Sequence, residues 1–76
     1  MGNIRFGTVL RDRRRGKGWT QEQLATQADL SVRYVQSLEA DEKLPSLGTV
    51  FSLARAFNTS PGLLLDPLWR AWREGQ

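Results

Sequence analysis

The sequence predicts an all-α fold, a compact bundle of five short helices, or six if the last segment divides. Three observations carry this expectation. Apolar residues recur three or four apart along the chain, the spacing that puts side chains on one face of a helix. Hydroxyl residues suited to N-caps stand ahead of these stretches at Thr20, Ser31, Ser46 and Ser60. No stretch alternates apolar and polar residues as a half-buried strand does.

The first helix is expected from about Ile4 to Arg15, with Phe6, Val9 and Leu10 on its inner side. Arg13 falls where a bundle would accept another apolar residue. Gly16-Lys17-Gly18 stops this helix, and Trp19 plugs the junction. Helix 2 starts at Thr20, and Gln23 three residues on completes a capping-box pattern. Helix 3 is expected from Val32 to about Ala40.

Leu44-Pro45-Ser46 makes the next break, with Ser46 capping helix 4. There Leu47, Val50, Phe51, Ala54 and Phe57 recur at helical spacing and are expected to form one buried face. Ser60-Pro61 is a cap followed by a proline at the first helical position. Asp66-Pro67 repeats that device, so it starts either a sixth helix or an irregular tail carrying Leu68, Trp69, Ala71 and Trp72.

The stretch from Thr20 to Leu38 holds the most specific pattern. Leu24 and Ala28 share one helix face, and Val35 and Leu38 share another. Between them Asp29 breaks the chain and Ser31 caps a new helix, while Ala25 is small where two helices approach. This is a helix-turn-helix over residues 20–40, an arrangement whose second helix enters the major groove of DNA.

Composition narrows the alternatives. The 76 residues read as a single domain, residues 1–76, of a size that buries only ~60% of the unfolded chain's surface. With no cysteine and no histidine, disulfides, zinc clusters and Ser-His or Cys-His nucleophiles are unavailable, so neither metal nor cofactor is expected. The longest apolar run is Leu63 to Leu65, too short for a membrane span. A cytoplasmic protein, on the nucleoid when bound to DNA, is expected. Net charge is +3. Residues 1–17 carry six basic side chains against Asp12 alone, while the rest carry five basic and seven acidic ones. The basic first helix is either a phosphate-facing edge or a solvated face.

The chain resembles the lambda-repressor-like helix-turn-helix family, the Cro/CI-type (XRE) regulators. The resemblance rests on Leu10-Arg11 and Arg14, on Gly18-Trp19-Thr20-Gln21-Glu22-Gln23-Leu24-Ala25, and on Leu30-Ser31, Tyr34-Val35 and Leu38-Glu39. It continues through Pro45-Ser46-Leu47, Leu53-Ala54 and Ala56-Phe57 to Ser60-Pro61 and Leu64, covering roughly residues 4–65. Asp29 and Asp41 stand where such proteins usually have glycine, and Ala40 and Glu42 where basic or amide residues are frequent. Lys43 is then the only cation of that loop, which implies weaker affinity for the DNA backbone.

On helix 3, Val35 and Leu38 face inward, so Val32, Arg33, Gln36 and Ser37 project outward. Arginine pairs with guanine, glutamine with adenine, and valine touches a thymine methyl. Arg33 and Gln36 are the principal candidates for base readout, with Val32 and Ser37 in support; the family's base contacts fall on the same positions. Phosphate contacts are expected from Gln21, Lys43 and Ser46. The Tyr34 hydroxyl either reaches a phosphate or merely packs. By resemblance, Arg14 pairs with Glu39 to tie helix 1 to helix 3, and the same guanidinium touches phosphate.

Leu65, Leu68, Trp69 and Trp72 within the C-terminal segment 60–76 either complete the core or form a dimer surface, and the dimer is favoured. The leading expectation is a homodimeric, sequence-specific transcription regulator, repressor or activator, on a (pseudo)palindromic operator in double-stranded DNA. Its compactness is similar to that of restriction–modification controller proteins and of small phage or plasmid repressors. An activator of this kind would touch RNA polymerase as a second partner. The alternative is an antitoxin-type interaction module whose Trp69 and Trp72 surface holds a toxin. An enzyme is not expected, for lack of any catalytic constellation.

Overall fold

The computed structural model describes residues 5–75. Five helices follow in order: α1 (Phe6–Gly16), α2 (Gln21–Ala28), α3 (Val32–Glu39), α4 (Leu47–Ala56) and α5 (Pro61–Glu74). No strand occurs among the described residues. The expected start of the first helix at Ile4 lies outside them.

Four helix starts are written in local sequence. The Thr20, Ser31, Ser46 and Ser60 hydroxyls accept from the backbone N–H groups of Gln23, Tyr34, Thr49 and Leu63 at 3.0–3.1 Å. The Gln23 side chain returns a 2.8 Å bond to the Thr20 N–H, completing the capping box. Each such cap contributes about 1 kcal/mol.

The first four helices also end alike. Gly18, Asp29, Asp41 and Asn58 take left-handed backbone angles, with φ of 72°, 57°, 59° and 55°. The next residue's N–H then closes back on the last turn, as from Leu30 to the Ala25 carbonyl and from Glu42 to the Ser37 carbonyl, both at 2.9 Å. Only α1 uses glycine for this turn. The two aspartates and the asparagine tolerate it at some cost in strain.

Asp41 gains something in return. Helix α1 has no side-chain cap of its own at Arg5, and the Asp41 carboxylate accepts from the Gly7 N–H at 2.9 Å. A residue expected only to weaken phosphate contacts therefore caps a helix 34 positions away. Gly7 must be glycine there, because a Cβ would collide with the Glu39 carbonyl oxygen and stand 2.8 Å from the Asp41 carboxylate.

The core gathers Leu10, Leu24, Val35, Leu38, Leu53 and Leu64, all fully buried. Helix α1 packs on α3 and α5, α2 on α3 and α4, and α4 on α5. Trp19 stacks on Phe57 at 5.7 Å, filling the junction after α1. The Cα radius of gyration, 11.8 Å, matches the ~11 Å expected of a compact chain this long.

Two sequence expectations are corrected. Asp66-Pro67 starts no sixth helix, because α5 runs unbroken from Pro61 to Glu74 with Pro67 inside it. Proline has no N–H for the carbonyl four residues back, that of Leu63. Arg13 supplies the missing donor, its Nη2 lying 3.2 Å from the Leu63 oxygen. An Asp66–Arg70 ion pair at 2.7 Å spans the same turn. The second correction concerns α4. Val50, Leu53, Ala54 and Phe57 are buried, but Leu47 is 68% and Phe51 53% exposed. At 100° per residue those two sit roughly a quarter to a third of a turn from the centre of the buried stripe, beyond the reach of α2 and α5.

Candidate nucleic-acid interface

The interface is built on α3, whose inner face is fixed first. Val35 and Leu38 are fully buried, and Glu39 is buried beside them. The turn from α2 is short, with Asp29 left-handed, Leu30 bonded back to Ala25, and Ser31 already the cap of α3. Ala25 is 2% exposed, and its methyl group permits the close contact between α2 and α3.

Glu39 is the hub that holds three helices together. Arg14 of α1 meets it with Nε on Oε2 at 2.6 Å and Nη2 on Oε1 at 3.0 Å. The guanidinium also donates from Nη1 to the Trp19 carbonyl at 2.9 Å. Gln21, the first residue of α2, donates its side-chain amide to Glu39 Oε1 at 3.1 Å. The Arg14 and Glu39 side chains are 11% and 5% exposed, so this is a nearly dry, bidentate pair. The hydrogen bond to Glu39 holds the Arg14 pKa above its ordinary value, partly opposed by burial and aided by the charges of Glu39 and Glu22. The expected Arg14–Glu39 pair is present. Gln21 is oriented by it at the N-terminus of α2, with a second amide N–H still available.

On the outer side Arg33 and Gln36 are exposed, while Val32 and Ser37 are half-buried. Val32 also leans on the core cluster. Arg33, Gln36 and Ser37 line one shallow groove of about 420 Å³. Ala40 and Glu42 complete its wall. In sequence these two stand out only for lost phosphate contacts, because helical periodicity does not place a loop residue beside the helix face.

The remaining phosphate candidates gather where α4 begins. The Ser46 hydroxyl accepts from the Thr49 N–H and donates to Thr49 Oγ1 at 3.0 Å. Thr49 Oγ1 lies 3.1 Å from the Tyr34 hydroxyl, and Lys43 Nζ stands 6.0 Å from the centre of the Tyr34 ring. Tyr34 therefore links α3 to α4. If Thr49 donates in that bond, the tyrosine proton remains free for another acceptor.

At the far end Trp69 and Trp72 are 52% and 59% exposed and stack on each other at 5.8 Å. Leu65 and Leu68 pack half-buried against the core. The four residues grouped in sequence thus divide, two closing the core and two facing outward. Leu44, at 82% exposure, joins Leu47 and Phe51 as further exposed apolar surface. No helix among the described residues is long and apolar enough to cross a membrane.

Residues 10–64 match a family model described as helix-turn-helix. The chain is also 37% identical over 54 residues to an uncharacterized HTH-type transcriptional regulator, y4dJ, of Sinorhizobium fredii. That alignment covers 71% of this chain and 70% of the relative. Membership in such a family assigns the chain to binding and not to catalysis. With α2 and α3 locked at a short turn and α3 turned outward, the chain belongs to the helix-turn-helix family of DNA-binding transcription regulators.

Proposed function

We propose that this protein is a sequence-specific regulator that binds a two-fold symmetric operator as a homodimer, with α3 of each copy in a major groove. The observation that carries the reading is the pairing of a buried Glu39 hub with the exposed Arg33 and Gln36 on the same short helix. The hub removes freedom from α3, so the two readout side chains approach the bases from a rigid support. Arg33 donates to guanine, Gln36 pairs with adenine, Val32 meets a thymine methyl, and Ser37 bonds an adjacent base edge. Gln21, Lys43, the backbone N–H of Ser46 and the Tyr34 hydroxyl hold phosphates, the Ser46 hydroxyl proton being committed to Thr49, with the remaining Arg14 N–H groups in support.

Dimerisation is supported by the stacked, exposed Trp69 and Trp72, because one short recognition helix reads too few base pairs for specificity. Leu65 and Leu68 underlie that surface. Half-sites then lie ~34–36 Å apart. By resemblance to compact regulators, the target is the promoter of a small operon of restriction–modification, phage or plasmid type.

Selection of random duplex DNA by the purified protein tests this reading. A two-fold symmetric consensus is expected, relaxing at different positions in Arg33→Ala and Gln36→Ala. Salt-sensitive binding of any duplex, with no enrichment, would reject it and point to a protein partner at the tryptophans. Sedimentation of the parent and of Trp69→Ala/Trp72→Ala tests the dimer; a parent that stays monomeric with and without operator rejects it.

A further inference from the structure

The loop after α3 brings an acidic residue, Glu42, to the groove of the readout face. Asp41, at φ 59°, reverses the chain, and the Glu42 N–H then closes on the Ser37 carbonyl at 2.9 Å. This fixes the Glu42 backbone to the last turn of α3. Glu42 is exposed and lines the same groove as Arg33, Gln36 and Ser37. It takes part in neither of the two ion pairs found among the described residues.

We propose that Glu42 is a specificity-determining residue that accepts a hydrogen bond from the N4 amino group of a cytosine in the operator. The proposal rests on the reading of α3 as the major-groove helix. An ionised carboxylate only accepts. In the major groove the base-edge donors are adenine N6 and cytosine N4. Adenine sets its N7 acceptor beside the amino group, where it repels a carboxylate; cytosine carries no such neighbour. The strand itself is a poor partner, because phosphate and carboxylate share a sign. A carboxylate-bearing residue on the groove that also carries two readout residues therefore favours a cytosine and disfavours the other three bases.

The test is the duplex selection repeated with Glu42→Ala and Glu42→Gln, with binding constants on the selected sites. The parent is expected to require cytosine at one position per half-site that neither Arg33→Ala nor Gln36→Ala relaxes. Glu42→Ala should lose that preference, discrimination there falling roughly tenfold. Glu42→Gln should move it toward adenine, the base glutamine reads through N6 and N7. An unchanged consensus with uniformly tighter binding in Glu42→Ala would overturn the proposal and leave Glu42 as a phosphate-repelling charge. If the parent selects no consensus, the major-groove reading has failed; if it selects one that ignores Glu42, only this inference has. Melting curves matched to the parent show that both variants fold.

Discussion

Replacing each left-handed aspartate by glycine separates two effects that sequence alone would merge. Asp29→Gly removes only the strain of a left-handed residue at the end of α2. With φ at 57° and its carboxylate in neither ion pair among the described residues, it should stabilise by about 0.5 kcal/mol, strain relief being partly offset by glycine's greater unfolded-state entropy. Asp41→Gly relieves the same strain but also deletes the 2.9 Å bond to the Gly7 N–H. A charge-assisted cap on a helix N-terminus is worth about 1.5 kcal/mol. The net loss is then about 1 kcal/mol, and the two variants differ by about 1.5 kcal/mol. In a domain of this size that separates their Tm values by roughly 6–12 °C. Urea and thermal melts measure the difference, and hydrogen exchange at the first turn of α1 localises it. Equal stabilisation by both glycines would refute a capping role for Asp41.

The buried ion pair and the proline turn make further predictions. Glu39→Ala leaves the Arg14 charge nearly dry and unpaired, so a loss of about 3–5 kcal/mol is expected; Arg14→Leu/Glu39→Leu should recover most of it, and a parent-like melt of the single variant would reject the hub. The raised Arg14 pKa means its contribution is fully present below the ordinary arginine range and is lost only in strong alkali. Stability measured across neutral to mildly alkaline pH should therefore show no loss traceable to Arg14. Arg13→Ala should cost about 0.5 kcal/mol by removing an exposed hydrogen bond to the Leu63 carbonyl that water replaces only in part. In a Pro67→Ala background, where an N–H is restored, the same change should cost almost nothing, and additive effects in that double-mutant cycle would sink the account.

Sequence alone determined the elements whose causes are local. The caps at Thr20, Ser31, Ser46 and Ser60 each bond a backbone group three residues away, so their starts could be read without any fold. The Arg14–Glu39 pair came from resemblance and not from spacing, and the structure supplied its Gln21 and Trp19 partners. What only tertiary structure decided acts across distance. Asp41 reaches Gly7 and Arg13 reaches Leu63 across 34 and 50 residues, and no local pattern encodes either. The apolar arc of α4 was legible, but where its neighbours stop is not a property of α4, which is why Leu47 and Phe51 remained outside. Glu42 joined the groove for the same reason: periodicity describes a helix face, and only the folded loop sets what stands beside it.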